Sequence, residues 1–383
     1  MNDYLLIFGR TPELSRVEAQ VFFPTLGDIR PDIVRVSPEP VACDGTTMPV
    51  ERMIDILGGT VKIARVLTVG AQPNATDIAN LLSLAVADRD IVFGVSAYGL
   101  SLSKSLLAQV KQELKQQGRT ARYVGATGET LSSVTVSKNN ACELCLVAQG
   151  DTVYVAQMVA VQDFARWSTL DYGRPYRNTK MGMLPPKIAR MMANIALGAD
   201  ARGKTILDPF CGAGTILTES LSRSIGSVIG MDIDQKAVND TTANFRWVKQ
   251  QIQSAVSGRF EVCDASHVDE VIGSQTVHAL ATEPYLGPIH LGLGDISDPK
   301  KLKNILKGLQ KLYIGALKSF RSVLAPHATV VFIIPQFTVN GRVYDVKNLI
   351  DSCENLGYTK VLGPIEYARE KAVVSRQIIV LTV

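Results

Sequence analysis

The carboxyl-terminal 200 residues alternate short apolar runs with helix-forming segments, and this alternation constrains the fold more than any other feature. Seven strands are predicted, at 205–207, 227–231, 260–263, 277–282, 328–335, 359–365 and 377–383, and the main helices at 215–224, 235–253, 299–323 and 346–356. The last two strands follow each other directly, which predicts an antiparallel hairpin on an otherwise parallel, Rossmann-like sheet. The fold class is therefore α/β.

The first 165 residues differ from this pattern and predict an α+β region. Strands are expected at 4–8, 91–96 and 152–161, and apolar residues at helical spacing between 102 and 114 predict a helix that Gly118 ends. Thr11-Pro12 is typical of a helix start. The periodicity lapses over 166–186, which predicts a linker between an N-terminal domain, 1–165, and a second domain, 187–383.

Composition excludes several classes of protein. The chain has 383 residues, of which 46% are hydrophobic and 20% charged, so it can bury real cores. No apolar run reaches the roughly 18–20 residues of a membrane helix, and the N-terminus lacks the pattern of a secretory signal. Six cysteines are too few for a disulfide framework. We expect a cytoplasmic protein that binds no membrane and holds no metal.

The loop Asp208–Thr215, with the sequence DPFCGAGT, follows the first predicted strand of the second domain. Ligands bind at the carboxyl ends of strands in such sheets, and glycines let the backbone approach them. Neither a G-x-G-x-x-G dinucleotide motif nor a Gly-Lys-Ser/Thr phosphate loop is present. Asp208 would repel a pyrophosphate but suits an ammonium group, so S-adenosylmethionine is the favoured cofactor, contacted by Asp208, Phe210, Gly212, Gly214 and Thr215.

Acids also end the next two predicted strands. Asp232 can accept hydrogen bonds from ribose hydroxyls, a position that dehydrogenases share. Asp264 can accept from the adenine amino group or cap the helix that follows it, and both interpretations stay open. Asp234 is expected to be an N-cap.

With these motifs the sequence resembles the class I methyltransferases, and more narrowly the tRNA guanine-N2 methyltransferases that carry an N-terminal THUMP domain. The DPFCGAGT loop is similar to that family's motif I. The segment 181–192, MGMLPPKIARMM, is similar to its entry into the catalytic domain, and 6–15, LIFGRTPELS, to the start of its guanosine-10 branch. The resemblance implies that Leu184 and Pro185 lie near the methionine end of the cofactor.

The fourth predicted strand of the second domain ends in Thr282-Glu283-Pro284-Tyr285, where amino-methylating relatives carry Asp/Asn-Pro-Pro-Tyr/Phe. A guanine amine is a poor nucleophile, and aligned acceptors position it for attack. The resemblance implies that Glu283 accepts from the amine, with Thr282 as the alternative acceptor. Pro284 would stiffen the loop, and Tyr285 would stack on the base. Tyr285 and its neighbours include no cysteine, so a cytosine-C5 mechanism is not expected.

Positive charge is concentrated between residues 101 and 190, with 12 Lys and Arg against 6 Asp and Glu, whereas the rest has 28 against 30. That distribution favours contact with RNA phosphates, or a solvated charged face. The candidates are Lys104, Lys111, Lys115, Arg119, Arg122, Arg174, Arg177 and Lys180. Arg369 and Arg376 are interpreted as turn residues, with RNA contact as the alternative.

The leading hypothesis is methyl transfer from S-adenosylmethionine to the N2 amine of a tRNA guanosine, at position 10, with a small activating protein subunit left open. A tRNA-binding protein with a dormant methyltransferase fold is the alternative that the changed TEPY motif keeps open. Action on another guanosine or on adenine N6 is the third.

Overall fold

The structure is a computed structural model that describes residues 3–103, 105–125, 128–177, 183–273, 276–287, 298–346, 349–368 and 374–383. The chain forms two compact units. The first comprises Met1–Ala42 and Thr47–Ser168, and the second comprises Cys43–Thr46 and Thr169–Val383.

The first unit is built on an eight-stranded sheet with the order β2-β3-β1-β6-β10-β9-β7-β8. Only the pairs that β7 makes with β8 and β9 are parallel among those described. The strands of this part of the chain are β1 Tyr4–Phe8, β2 Gly27–Arg30, β3 Ile33–Val36, β4 Val41–Cys43, β5 Thr46–Met48, β6 Thr60–Gly70, β7 Asp90–Tyr98, β8 Thr120–Tyr123, β9 Cys142–Gln149 and β10 Thr152–Val161, with β4 and β5 paired as a separate hairpin. Its helices are α1 Pro12–Phe22, α2 Ala75–Ala85, α3 Leu106–Gln116 and α4 Ser133–Asn139. The predicted α+β architecture is confirmed.

The predicted helix over 102–114 begins later than its apolar pattern suggested. Leu102 precedes α3 but packs, partly buried, against the same core as Leu106 and Val110. Leu102 therefore fits the helical spacing because it packs against the same core, although it lies outside the helix. Gly118 follows the helix with φ +77°, a conformation that glycine adopts without strain.

The predicted linker contains regular structure. Helix α5, Phe164–Tyr172, covers its first residues, so the lapse of apolar periodicity there is not accompanied by a loss of secondary structure. Only Leu170 of this helix is buried, which explains why no apolar face was visible. Helix α6 spans Pro186–Leu197, with Pro186 in its first turn, where the missing amide proton costs nothing.

The second unit contains an eight-stranded sheet. The seven predicted strands follow the order β13-β12-β11-β14-β15-β18-β17, and β16 pairs with β15 off this path. Its strands are β11 Thr205–Asp208, β12 Ser227–Asp232, β13 Ser257–Val262, β14 Val277–Thr282, β15 Leu324–Val339, β16 Arg342–Asp345, β17 Thr359–Tyr367 and β18 Val374–Thr382. Strands β11 to β15 pair in parallel, and β17 and β18 form the expected antiparallel hairpin. The short β16, which was not predicted, extends β15 at a turn.

Helices connect the parallel strands of this sheet. They are α7 Thr215–Ser220, α8 Gln235–Gln251, α9 Val268–Ile272, α10 Pro299–Val323 and α11 Leu349–Asn355. The long helix α10 links β14 to β15 and packs on the sheet, with Tyr313 edge-on to Phe332 at 5.4 Å between ring centroids. No helix among the described residues is both long and apolar enough to cross a bilayer.

A buried ion pair fastens the segment Cys43–Thr46 within the second unit. Asp44 accepts from Nη2 and Nε of Arg223 at 2.6 and 3.1 Å and from the amides of Ala201 and Ser224 at 2.9 Å. Burial raises the pKa of Asp44, but the hydrogen bonds and charge of Arg223 outweigh it, and the pKa is lowered overall. Breaking a buried pair leaves an uncompensated charge, so both partners contribute to stability.

We predict that Asp44→Asn lowers the free energy of unfolding by about 3 kcal/mol at neutral pH, because it leaves Arg223 buried without its counter-charge. Because the pKa is lowered in the folded state, the contribution of Asp44 is present above its unfolded value near 3.8 and is lost as pH falls. Urea unfolding from pH 7 to pH 3 should show the variant and the wild type converging in acid. Asp200→Asn, which removes an exposed partner of Arg202, is the matched control and should change little.

Candidate active site

The loop after β11 is shaped by two glycines and braced by α8. Gly212 and Gly214 have φ +52° and +76°, and a Cβ on Gly214 would lie 2.8 Å from Cγ2 of Thr241. Thr241 Oγ1 donates to the carbonyl of Gly212 at 2.7 Å, and Asn244 Nδ2 donates to that of Ala213 at 2.8 Å. Glycine is therefore required at position 214 both by conformation and by space.

Asp208 lies at the carboxyl end of β11 and is 2% exposed. Its Oδ1 accepts from Thr282 Oγ1 at 2.7 Å and from the amide of Phe210 at 3.2 Å. The pKa of Asp208 is raised to about 7: burial raises it most, the two hydrogen bonds lower it, and the nearby charges of Asp232 and Glu283 raise it. A buried acid beside two other acids gains from a cation, so these residues fit the ammonium and sulfonium groups of S-adenosylmethionine.

The two acids that end the neighbouring strands are both placed at this sheet edge. Asp232 Oδ2 accepts from the amide of Gly212 at 2.9 Å, which ties β12 to the glycine loop. Asp264 Oδ1 accepts from the amide and hydroxyl of Ser266 at 2.9 and 2.7 Å, and these bonds lower its pKa. A carboxylate has about four acceptor sites, so the capping role of Asp264 leaves capacity for a ligand. Asp234 caps α8 as predicted, through the amide of Lys236.

Thr282 and Glu283, the two alternative acceptors for the guanine amine, have different surroundings at the end of β14. Thr282 is fully buried and donates its hydroxyl proton to Asp208. The side chain of Glu283 is 18% exposed, and its carboxylate pairs with the guanidinium of Arg376 in β18. Of the two, only Glu283 presents a charged acceptor at the sheet edge.

The remaining residues of this motif are placed at the same end of β14. Pro284 is buried, whereas the ring of Tyr285 is 55% exposed. Tyr313 of α10 donates to the carbonyl of Tyr285 at 2.8 Å, which anchors the backbone beneath the exposed ring. An exposed aromatic side chain on a fixed backbone is suited to stacking on a base.

Arg376 was interpreted as a turn residue, and this is wrong. It lies within β18 and is 7% exposed, between Ser375 and Gln377, which are equally buried. A polar run such as Ser375-Arg376-Gln377 looks the same in a sequence whether it forms a turn or the buried start of a strand, so sequence alone could not have placed Arg376. Arg369 lies outside the described residues.

Two cations proposed for RNA contact are engaged with neighbours in the segment before α6. Arg174 is 5% exposed, and its guanidinium donates to Asp171 at 2.9 Å and to Thr215 Oγ1 at 3.3 Å. Arg177 lies over the ring of Tyr172, 4.3 Å from its centroid, and 3.7 Å from the carboxylate of Asp171. Arg174 thus contacts the glycine loop rather than solvent.

The cations proposed in the first unit differ in exposure. Lys111, Lys115 and Arg122 are exposed. Arg119 is half-buried and donates to the carbonyls of Val86 and Asp88, beyond the end of α2. Lys104 and Lys180 lie outside the described residues. Leu184 is buried and Pro185 half-buried at the start of α6.

The order of the sheet and the acids along one edge define the second unit as a class I methyltransferase fold. Solved structures agree. The chain is similar to TrmN from Thermus thermophilus, with 16% identity, a TM-score of 0.53 and 99% of both chains covered. It is also similar to a possible methylase from Clostridium difficile 630, with 12% identity, a TM-score of 0.50, and 99% and 97% covered.

Sequence comparison shows which methyltransferases the chain resembles. The family model called Conserved hypothetical protein 95 matches residues 186–271. The chain is 32% identical over 170 residues to the tRNA (guanine(10)-N2)-dimethyltransferase of Methanothermobacter thermautotrophicus, covering 44% of this chain and 42% of that protein. For the enzyme of the same description from Methanocaldococcus jannaschii the identity is 30% over 158 residues, covering 35% of this chain and 43% of that protein. The resemblance to tRNA guanine-N2 methyltransferases is confirmed, although the match spans less than half the length of these relatives.

We predict that Asp208→Asn stabilises the ligand-free protein increasingly as pH rises from 4 to 8. The folded-state pKa is raised to about 7, so ionisation of wild-type Asp208 costs stability above the unfolded value of 3.8, and the cost is complete above pH 7. Asparagine keeps an oxygen for Thr282 without a charge. Thermal unfolding of both proteins across this pH range measures the difference, and a gap that does not grow with pH would contradict the raised pKa.

Proposed function

We propose that this chain transfers a methyl group from S-adenosylmethionine to the exocyclic N2 amine of a guanosine in tRNA, at position 10, in the cytoplasm. The observation that carries the proposal is the carboxylate of Glu283, fixed by Arg376 at the end of β14 beside the exposed ring of Tyr285. The two curated relatives, whose names specify this position and this amine, support it.

The proposed cofactor site follows the edge of the sheet from β11 to β13. Asp208 would hold the ammonium group, Asp232 the ribose hydroxyls and Asp264 the adenine amino group. Phe210, Gly212, Gly214 and Thr215 would line the site, and Leu184 and Pro185 would lie at its methionine end. When bound, S-adenosylmethionine supplies an electrophilic methyl group.

The reaction residues act by orientation and charge. Glu283 accepts a hydrogen bond from one amine proton, which turns the nitrogen lone pair toward the methyl carbon and stabilises the positive charge that develops on nitrogen. Pro284 limits the motion of the backbone. Tyr285 stacks on the base, and Thr282 acts indirectly by holding Asp208.

RNA recognition is proposed for the N-terminal region, 1–165, which would include a THUMP domain and is joined through the linker 166–186 to the methyltransferase domain, 187–383. The exposed cations Lys111, Lys115 and Arg122 support phosphate contact. For Arg174 and Arg119 the observed partners favour intramolecular roles.

The first experiment is methyl transfer from labelled S-adenosylmethionine to unmodified tRNA transcripts, followed by digestion and nucleoside analysis. We expect N2-methylguanosine from wild type and a loss of about 10²–10³ in kcat for Glu283→Ala, because one aligned acceptor is removed. Cofactor binding should persist, because Asp208, Asp232 and Asp264 are retained, and its affinity should change far less than kcat. Methylated adenine would assign the activity to the alternative base.

Absence of transfer despite cofactor and tRNA binding would leave two interpretations. In the first, the enzyme needs a small activating subunit, and adding that subunit would restore activity. In the second, the protein binds tRNA through a dormant methyltransferase fold, and no subunit would restore activity.

Arg376 gives a second prediction. Arg376→Ala should lower kcat with little change in cofactor affinity, because Glu283 loses the partner that fixes its carboxylate. Arg376→Lys keeps the charge and should recover part of the loss, although lysine cannot reproduce the planar donor pair. A wild-type kcat in Arg376→Ala would contradict a role of Arg376 in fixing Glu283.

A further inference from the structure

Helix α10 carries an unusual distribution of charge. Its 25 residues include seven Lys and Arg and no Asp or Glu. Six of the cations lie on one face, because successive residues of an α-helix rotate by about 100° and these six fall within an arc of about 80°. We call them the α10 stripe: Lys300, Lys303, Lys307, Lys311, Lys318 and Arg321, all exposed.

The stripe is not neutralised by the part of the chain that the structure describes. None of its six side chains forms an ion pair there within 4 Å. Lys303, Lys307 and Lys311 repeat at four-residue intervals, a spacing at which like charges destabilise a helix. Solvated helix faces usually mix charges of both signs, so a face of one sign indicates an anionic partner.

The opposite face of α10 decides which kind of anion fits. Its apolar residues are buried in the core of the second unit: Leu302, Leu306, Leu309, Tyr313, Ala316, Leu317, Phe320 and Val323. A helix that binds a membrane surface must insert its apolar face among the lipids, and the apolar face of α10 is already buried against the sheet. A polyanion bound by charge alone needs only the exposed stripe.

The topology places the amino-terminal end of the stripe at the same sheet edge as the proposed reaction site. Because β14 and β15 are parallel, α10 starts from the sheet edge at which Glu283 lies and runs back to the opposite edge. From Lys300 to Arg321 the stripe extends about 31 Å. An RNA strand that brings a base to Tyr285 would have phosphates within reach of such a surface.

We infer that the α10 stripe binds the phosphate backbone of the RNA substrate next to the target nucleotide. The inference rests on the proposed function for the identity of the RNA, but not for the presence of a phosphate-binding surface. It assigns RNA contact to the methyltransferase unit itself, in addition to the cations of the first unit.

The experiment uses the full chain and three variants. The test variant combines Lys303→Ala, Lys307→Ala and Lys311→Ala. A charge-preserving variant replaces the same three residues by arginine. The matched control combines Arg246→Ala, Lys249→Ala and Lys360→Ala, which removes the same charge from α8 and β17. The affinity for an unmodified tRNA transcript is measured from 50 to 300 mM salt, together with cofactor affinity and thermal stability.

We expect the test variant to bind tRNA about tenfold or more weakly at low salt, and the slope of log K against log salt to shrink by roughly two to three. The KM for tRNA should rise while kcat at saturating tRNA changes less than about twofold. The arginine variant and the matched control should keep the wild-type slope.

A test variant with the wild-type slope, or a loss equal to that of the matched control, would overturn the inference. So would binding to phosphatidylserine vesicles that depends on the stripe while tRNA binding does not. Failure of the proposed function gives a different result: no methylated guanosine from any variant, with tRNA affinity still dependent on the stripe.

Discussion

The hydrogen bond from Thr282 to Asp208 joins the two halves of the candidate site. It depends on the parallel pairing of β11 with β14, which aligns Leu207 with Leu280 and brings the carboxyl ends of both strands to one edge. A buried carboxylate without partners is costly, so the fold supplies two donors and the sheet determines where they lie. The glycine loop begins from one of these strand ends and the proposed reaction motif from the other.

The antiparallel hairpin of β17 and β18, which lies beyond β15 in the strand order, contributes Arg376 to the candidate site. In β18, Arg376 lies opposite Pro335 of β15 and reaches the carboxylate of Glu283. Glutamate places its carboxylate one methylene further from the backbone than the Asp or Asn of the motif that this segment resembles. The ion pair with Arg376 fixes this longer side chain at the end of β14.

The fold was largely predictable because the alternation of strands and helices is strong in the second unit. Strand Val277–Thr282 and helix Pro299–Val323 have the predicted bounds, since both combine a long apolar pattern with clear end signals. Helix α5 was missed because it buries almost nothing, and β16 because a four-residue strand after a turn has no periodicity of its own.

The candidate site was less predictable than the fold. Motif position placed Asp208, Asp232 and Glu283 at one sheet edge, but no sequence pattern links Glu283 to Arg376, 93 residues away. The α10 stripe was missed for another reason. Charge was counted over long segments, and acids elsewhere in the second half offset the cations of this helix. Only the helical geometry shows that six of them share one face.

The second unit carries acids at the proposed cofactor site and cations on α10, and the proposed reaction needs both because its cofactor is positively charged and its RNA substrate is negatively charged. The proposed cofactor is cationic. Burial, and to a smaller extent the charges of Asp232 and Glu283, raise the pKa of Asp208, so negative charge at this sheet edge lacks a counter-charge. RNA is a polyanion and would be repelled from that edge, since a net charge of +4 over the whole chain is too small to attract it. The α10 stripe starts at the same sheet edge, and its positive charge offsets this repulsion nearby. Because screening limits such fields to about 10 Å at 0.1 M salt, the compensation must come from α10 or another nearby element rather than from distant cations.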